Sequence, residues 1–286
     1  MIKIQAIGYP FVIDYSSCST LTPKYFNWSS NNEDIKVYID GEILTRGIKT
    51  HYNENKYAWI CESRAIGPAE KVRQILINDP NYILRHYKYL FTCEKELCAL
   101  DPRIKWCYSS SNLPWCFGRN YTTYIPQKTK LVSMICSPKA YSEGHRHRLN
   151  VAFQIKNQLD LFGGAHGSER PGENTGPWRD KSSAIDPYMF SVVFENDRYS
   201  GYFTEKITDC FARGTIPIYY GDPDICEHFD CDGIIPYREN ILSEISSDLY
   251  YSKMQAIKNN MEKVLNLDMC EDYFVKKYIL KKEIDS

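Results

Sequence analysis

A strand, a loop, a helix and a second strand follow one another directly in this chain, and no other pattern constrains its fold as much. Met189–Phe194 (MFSVVF) and Thr215–Tyr220 (TIPIYY) are short apolar runs typical of buried strands. Glu205–Arg213 carries apolar side chains along one helical face, with Thr204 as a suitable N-cap and Gly214 as a stop. Because a helix that joins two such strands makes a crossover, the strands are predicted to be parallel.

The alternation of short strands and helices extends over most of the chain. With 286 residues, the chain is long enough for two domains of about 100–150 residues each. A second unit is predicted to begin near Lys128, with the buried-strand pattern of Lys130–Cys136 (KLVSMIC). The other predicted strands and helices are Ile2–Gly8, Lys36–Ile39, Tyr57–Cys61, Pro68–Asn78, Tyr87–Thr92, Glu94–Leu100, Gly144–Gln158, Leu159–Gly163, Ile241–Leu265 and Glu271–Ile284.

Composition excludes several classes of protein. The 35 Lys and Arg residues nearly equal the 36 Asp and Glu residues, so the charge indicates no nucleic-acid partner. No run of 18 apolar residues predicts a transmembrane segment, and the N-terminus lacks the apolar core of a signal peptide. The 11 cysteines include no CxxC pair, and the spacing of Cys226 and Cys231 matches no standard zinc site. We therefore predict a soluble, cytoplasmic protein with buried free thiols.

The first turn of the helix at Glu205–Arg213 carries a lysine. Ligands of open α/β sheets bind beyond the carboxyl ends of the strands, where helix N-termini attract anions through free N–H groups and the helix dipole. Lys206 opposes that dipole, which is unfavourable unless an anion lies beside it. Lys206 is therefore a candidate phosphate ligand, and the alternative is an ordinary surface lysine.

The segment Phe194–Gly221 resembles the signature of glycosyltransferase family 10, the α1,3/4-fucosyltransferases. That signature is Phe-x-Glu-Asn-Ser, a short gap, Tyr-x-Thr-Glu-Lys, a helix and Pro-[Ile/Val]-x-x-Gly. This chain differs at Asp197, where the family usually has Ser, and at Phe203, where Val or Ile is common. Weaker similarity extends over Tyr57–Pro236. Because it lacks a membrane anchor, the chain is expected to resemble the soluble bacterial or viral members of the family.

The resemblance implies a GT-B-type α/β fold with two Rossmann-like domains facing a cleft and C-terminal helices. Residues 1–128 would form the acceptor-side domain and residues 129–265 the nucleotide-sugar binding domain. Residues 266–286 would form a C-terminal helix that packs back toward the N-terminal domain. The Gly-rich stretch Gly163–Ser183 is predicted to be a mobile loop, either inert or a lid over the active site.

The resemblance also implies a set of donor-binding residues. Glu195 would bind the donor sugar or orient the site, Glu205 would take the ribose hydroxyls, and Lys206 would pair with the diphosphate. Tyr202 would line the nucleotide pocket. The full implied set on this segment is Glu195, Asn196, Tyr202, Thr204, Glu205 and Lys206.

The resemblance further implies that an arginine on the first helix of the donor domain binds the diphosphate. Arg146 and Arg148 both fit, since a guanidinium matches phosphate oxygens in pairs, and Arg148 agrees better with the family's pattern. His145 and His147 alternate as His-x-His. Residues two apart on a helix point in different directions, so we do not expect them to share a metal.

Transfer needs a base that deprotonates the acceptor, and the family uses a glutamate near Glu-Ser-Pro. Glu62 is the candidate, although Arg64 stands at the position of the proline. Glu94 and Glu96 are alternatives. Asp222-Pro-Asp224 has the form of a metal-binding Asp-x-Asp motif, but after Gly221 it is predicted to be a turn.

These residues predict an inverting, metal-independent glycosyltransferase that needs no cofactor. Its partners would be a nucleotide sugar, by resemblance GDP-fucose, and an oligosaccharide acceptor. One alternative is a related enzyme that uses another donor such as UDP-xylose, because exostosin-like glycosyltransferases share the helix and Gly-x-Ile-Pro strand. Another is a non-catalytic protein that binds nucleotides or carbohydrates.

Overall fold

The computed structural model describes residues 1–9, 13, 15–17, 21–116, 124–168 and 181–281, and the chain divides into two compact units. The first unit contains Met1–Asn112, Tyr199–Tyr202 and Asp268–Ser286. The second contains Leu113–Arg198 and Phe203–Leu267. The domain boundaries predicted at residues 128 and 265 stay a prediction.

The first unit is built on a parallel sheet of six strands. The strands are β1 (Ile2–Ile7), β2 (Phe26–Ser29), β3 (Ile35–Ile39), β4 (Lys56–Trp59), β5 (Tyr89–Thr92) and β6 (Ile104–Trp106). Their order in the sheet is β2-β1-β3-β4-β5-β6, and every pairing between neighbours is parallel. Successive side chains of a strand point to opposite faces, so Tyr57 and Trp59 lie in one buried cluster and Ala58 in the other.

The second unit is built on a parallel sheet of five strands. They are β7 (Lys130–Ile135), β8 (Asp160–Phe162), β9 (Tyr188–Phe194), β10 (Ile216–Tyr220) and β11 (Ile235–Pro236), in the order β11-β10-β9-β7-β8. All pairings are parallel. The central strand β9 is buried almost throughout, as expected for a strand covered on both faces.

Helices accompany both sheets. The α-helices are α1 (Glu42–Thr45), α2 (Gly67–Asn78), α3 (Pro80–Leu84), α4 (Lys95–Cys98), α5 (Glu143–Ile155), α6 (Ser182–Ile185), α7 (Glu205–Ala212), α8 (Ser247–Ser252), α9 (Met254–Asn266) and α10 (Cys270–Phe274). A π-helical turn, Val275–Ile279, follows α10. Phe274 of α10 stacks on Phe91 of β5 with ring centroids 4.6 Å apart, which ties the C-terminal segment into the core of the first unit.

The strand–helix–strand unit predicted from the sequence is confirmed. β9, α7 and β10 follow in order, and β9 pairs with β10 in parallel register, Phe190 opposite Ile216. Most other predicted elements are present with ends shifted by a few residues. The short strands β2, β6 and β11 were not predicted, because two to four residues are too few for a periodic pattern.

Two expectations are wrong. The helix predicted at Ile241–Leu265 is a 3₁₀ turn (Ile241–Ser243) followed by α8 and α9, because Ser246 caps a new helix by accepting the N–H of Leu249 at 3.1 Å. Cys226 and Cys231 are not free thiols but form a disulfide, since two 3₁₀ turns bring their Cα atoms to 5.3 Å.

Within the described part of the chain, no helix combines the length and the apolar character needed to cross a membrane. The cytoplasmic location stays a prediction.

Candidate functional site

A single buried carboxylate joins the end of β9 to the start of α7. Glu195 follows β9 directly and is 1% exposed. Its Oε1 accepts the backbone N–H of Thr204 at 2.9 Å, and its Oε2 accepts the Thr204 hydroxyl at 2.8 Å. Thr204 is the N-cap of α7, as predicted. Glu195 therefore ties the end of β9 to the first turn of α7.

Lys206 binds the same two residues, and we call the three together the Glu195–Thr204–Lys206 lock. Its Nζ donates to Oε2 of Glu195 at 3.2 Å and to the Thr204 hydroxyl at 2.8 Å. The anions that a lysine requires in a first helical turn are thus supplied by the protein itself: Glu195 at 3.2 Å and Glu205 at 3.7 Å. An ammonium group has three protons, and the two hydrogen bonds use two of them. Because the Lys206 side chain is 22% exposed, the remaining N–H can meet a ligand.

Glu205 and Asp209 share one cation that the sequence analysis did not identify. Lys181 places its Nζ 3.2 Å from Oε1 of Glu205 and 2.7 Å from Oδ2 of Asp209. Burial alone would raise the pKa of Glu205, but the charges of Lys181 and Lys206 lower it to about 2. Glu205 and Asp209 are four residues apart on one helical face, and that spacing was the available signal for a common cationic partner.

Asp209 has a second task. Its Oδ1 accepts the backbone N–H groups of Trp115 and Cys116 at 2.5 Å and 2.9 Å. This carboxylate therefore binds two parts of the second unit, the ammonium group of Lys181 and the backbone at Trp115 and Cys116. Most of the predicted loop Gly163–Ser183 lies at residues 169–180, outside the described residues, so the lid stays a prediction.

The structure separates the two candidate arginines of α5. Arg148 is 5% exposed; it donates through Nη1 to the Asn196 side chain at 3.3 Å and through Nη2 to the Ser137 hydroxyl at 3.1 Å. Its buried Nε has no hydrogen-bond partner among the described residues. Arg146 is exposed and donates to the carbonyl of Ala140 at 3.3 Å. Only Arg148 lies beside the residues that follow β9.

The first turn of α5 lies directly against the connection after β9. A Cβ added to Gly144 would come within 2.2 Å of the Asn196 carbonyl, so only glycine allows this approach. The Ser142 hydroxyl also donates to that carbonyl at 3.2 Å. We call the resulting group the α5–α7 cluster; it consists of Ser142, His145, Arg148, Lys181, Glu195, Asn196, Thr204, Glu205 and Lys206.

His145 reports the electrostatic character of this cluster. Together with Ser142 it forms a capping box at the start of α5. Burial and, after it, the positive charges of Arg148, Lys206, Lys139 and Arg146 together lower the pKa of His145 to about 4. Four cations therefore act on one neutral imidazole, as expected near an anion-binding site.

The other histidine of the His-x-His pair points elsewhere. His147 is exposed and packs against the rings of Phe194 and Tyr220, with centroids 5.4 Å and 5.1 Å away. The two rings therefore contact different residues, Ser142 for His145 and Phe194 and Tyr220 for His147. In the Asp222-Pro-Asp224 segment, Oδ1 of Asp222 accepts the N–H of Asp224 at 2.8 Å, which is the predicted turn. No group of three or more potential metal ligands was found in the part of the chain that the structure describes.

The remaining predicted site residues belong to the first unit. Glu62 is half-buried and follows β4, and the backbone N–H of Glu62 donates to Oδ1 of Asp40 at 3.2 Å. Of the alternative bases, Glu94 is buried and paired with Arg73 at 2.6 Å, and Glu96 is exposed.

Tyr202 also lies in the first unit, where it stacks on Tyr199 with centroids 4.8 Å apart. The guanidinium of Arg64, at the position of the family's proline, lies 4.4 Å from the centre of the Tyr199 ring. The structure thus assigns Tyr202 to a different unit from Thr204, two residues further along.

A parallel α/β unit with cations and carboxylates at the first turns of two helices has the arrangement of a nucleotide-binding domain. Residues 125–235 match the family model for the C-terminal domain of glycosyltransferase family 10 (fucosyltransferase). The resemblance noted at Phe194–Gly221 is confirmed, because that segment lies inside the part of the chain that matches this fucosyltransferase family model.

Two relatives match shorter stretches. The α-(1,3)-fucosyltransferase FucT of Helicobacter pylori is 40% identical over 52 residues, which are 18% of this chain and 11% of that protein. A fucosyltransferase-like protein of Arabidopsis thaliana is 36% identical over 79 residues, 28% of this chain and 14% of that protein. The chain therefore matches only a small part of the length of these relatives.

A solved structure extends the likeness to the whole chain. The crystal structure of an α1,3-fucosyltransferase superposes with a TM-score of 0.51 at 14% identity, covering 99% of this chain and 90% of that one. At this identity the likeness concerns the fold alone. With the two parallel sheets, it confirms the predicted GT-B-type α/β fold class.

Proposed function

We propose that this protein is an inverting glycosyltransferase that moves L-fucose from GDP-fucose to a hydroxyl of an oligosaccharide acceptor. The observation that carries the proposal is the Glu195–Thr204–Lys206 lock, a fixed cation at a helix N-terminus inside the segment that matches family 10. The fucosyltransferase names of the relatives support the choice of sugar.

The diphosphate of the donor binds at the α5–α7 cluster. Lys206 donates the N–H that is not used in its hydrogen bonds to Glu195 and Thr204. Arg148 donates through its Nε, which has no hydrogen-bond partner among the described residues. The N–H groups of the first turns of α5 and α7 add further donors. Glu205, ionised down to about pH 2, accepts hydrogen bonds from the ribose hydroxyls.

Glu195 has an orienting role rather than a direct one. Both of its oxygens already accept hydrogen bonds, from Thr204 and Lys206. Of the two roles that the resemblance allowed, this supports the one in which Glu195 orients the site. Asn196 acts in the same way, because its side chain accepts from Arg148.

The chemical step is an in-line displacement. The acceptor oxygen bonds to the anomeric carbon, the bond from that carbon to the diphosphate oxygen breaks, and Glu62 takes the acceptor's proton. Attack opposite the leaving group inverts the anomeric centre. Lys206 and Arg148 stabilise the charge that grows on the departing GDP, which is the task a metal ion performs in other glycosyltransferases. Tyr202 lines the nucleotide pocket in this proposal.

Release of nucleoside diphosphate from a panel of nucleotide sugars, without added acceptor, tests the donor. We expect GDP release from GDP-fucose and not UDP release from UDP-xylose, with no loss of rate in EDTA. Lys206→Ala should lower the rate by about 10²- to 10³-fold, because the interaction acts where charge develops. Lys258→Ala, which removes an exposed lysine from α9 of the same unit, is the matched control.

The alternatives predict other results. UDP release from UDP-xylose would favour the exostosin-like enzyme. Nucleotide binding by calorimetry, without turnover of any donor, would favour a binding protein. Full activity of Lys206→Ala would refute the assignment of the diphosphate site.

A further inference from the structure

An aspartate with unusual backbone geometry directly follows β3, the strand that pairs with β4. Asp40 has φ of 46°, in the left-handed region that residues other than glycine seldom occupy, although aspartate tolerates it better than most. Its N–H donates to the carbonyl of Trp59, the last residue of β4, at 3.0 Å. The backbone of Asp40 is therefore fastened to the strand that leads to Glu62.

The side chain of Asp40 reaches over the same strand end. Its Oδ1 accepts the backbone N–H of Cys61 at 2.8 Å and that of Glu62 at 3.2 Å. One carboxylate oxygen thus fixes the two peptide groups that set the direction of the Glu62 side chain.

The charged groups that the structure describes around Asp40 are carboxyls. The Glu62 carboxyl acts on Asp40, and the carboxyls of Asp40, Glu62 and Glu271 act on the neighbouring Cys61. The Cys61 thiol is neutral, because burial raises its pKa well above the usual value. Burial also raises the pKa of Asp40 to about 7, against the effect of its two backbone hydrogen bonds. Asp40 therefore gains its charge near neutral pH.

We propose that Asp40 is a positioning residue for Glu62: its Oδ1 fixes the Cys61–Glu62 backbone, and its negative charge strengthens the neighbouring carboxylate as a base. This inference rests on the proposed function, in which Glu62 takes the acceptor's proton. A like charge nearby disfavours a second carboxylate and so raises its affinity for a proton. A base with higher proton affinity accepts the acceptor's proton more readily in the transition state.

The variant Asp40→Asn separates the two parts of this role. The asparagine side chain keeps an oxygen that can accept both backbone N–H groups, but it never ionises. It therefore imitates protonated Asp40, and we expect GDP release from GDP-fucose to stay within about twofold of wild type near pH 6. Near pH 8, where wild-type Asp40 is charged, the variant should be slower by about 3- to 10-fold.

Glu42→Gln is the matched control, since it removes a carboxylate two residues away that pairs with Arg46 at the surface. Its rate relative to wild type should not change with pH. A purely structural role for Asp40 predicts that the ratio of Asp40→Asn to wild type is the same at all pH values, and that result would overturn the proposal.

A second measurement needs no donor. In carboxyl-selective ¹³C NMR, the titration midpoint of Glu62 should move to lower pH by about one unit in Asp40→Asn. An unchanged midpoint overturns the inference whatever the donor is. A shifted midpoint combined with full activity of Glu62→Gln would refute instead the role of Glu62 as the base, so the two failures are distinguishable.

Discussion

At the scale of single residues, the proposed diphosphate site depends on which cations are fixed by protein contacts and which are not. Arg148 and Arg146 lie on the same helical turn and carry the same charge. Arg148 is held by Asn196 and Ser137, whereas Arg146 contacts one backbone carbonyl at the surface. A fixed cation loses little conformational freedom when a phosphate binds, so the two side chains are predicted to contribute very differently.

Substitution of each arginine by alanine tests this difference. Arg148→Ala should weaken GDP binding by about tenfold or more, because it removes a charge-assisted contact and the partner of Asn196. Arg146→Ala should change the dissociation constant by less than about threefold. Isothermal titration calorimetry measures both, and equal losses in the two variants would contradict the assignment.

At the scale of elements, α7 is held by ion pairs that its own amphipathic pattern does not reveal. Its buried face carries Glu205 and Asp209 next to apolar side chains, and both depend on Lys181. For Glu205 the pKa in the folded protein lies below the ordinary value of 4.5, at about 2. Its stabilising contribution is therefore complete above about pH 5 and is lost as the pH falls toward 2. Burial raises the pKa of Asp209, so the contribution of Asp209 to stability has the opposite pH dependence and decreases as the pH rises.

Replacement of Lys181 by methionine should destabilise the second unit at neutral pH by about 3 kcal/mol, because Asp209 and Glu205 lose the cation that they share, and only Glu205 keeps Lys206. The loss should shrink near pH 3, where protonation removes the uncompensated charge. Urea unfolding at both pH values provides the measurement. Lys130→Met is the control, since its ion pair with Asp160 is exposed and screened by solvent, so its loss should change stability far less. A loss independent of pH would show that packing, not charge, is responsible.

At the scale of the whole molecule, the chain returns twice to its first unit. Tyr199–Tyr202 and Asp268–Ser286 both belong there, although each follows a long segment of the second unit. The C-terminal return contributes Phe274, which is fully buried between Phe91 and Trp59, with ring centroids 4.6 Å and 5.3 Å away. The core of the first unit therefore requires residues from the far end of the chain.

Phe274→Ala should lower the unfolding free energy of the first unit by about 3–5 kcal/mol, the usual effect of emptying a buried aromatic position. Trp28, Trp59 and Trp106 lie in that unit and report its unfolding by fluorescence. Phe153→Ala, at a position 58% exposed, should change stability by less than about 0.5 kcal/mol. Similar small changes in both variants would mean that the C-terminal segment is dispensable for the first unit.

The sequence by itself determined the local features of this protein. β9, α7 and β10, the N-cap at Thr204 and the position of Lys206 follow from periodicity and from capping chemistry, which act over a few residues. The resemblance at Phe194–Gly221, which the family-model match over residues 125–235 confirms, was visible because it spans one continuous strand–helix–strand unit.

Tertiary structure alone decided which distant residues meet. Lys181 joins Glu205 and Asp209 across more than 20 positions, Arg148 rather than Arg146 reaches Asn196, and Asp40 holds the backbone of Glu62. The pairing of β-strands and the burial of charges bring these groups together, and neither leaves a periodic mark in the sequence. Contacts of this kind depend on the packing of whole elements, so only the folded chain specifies them.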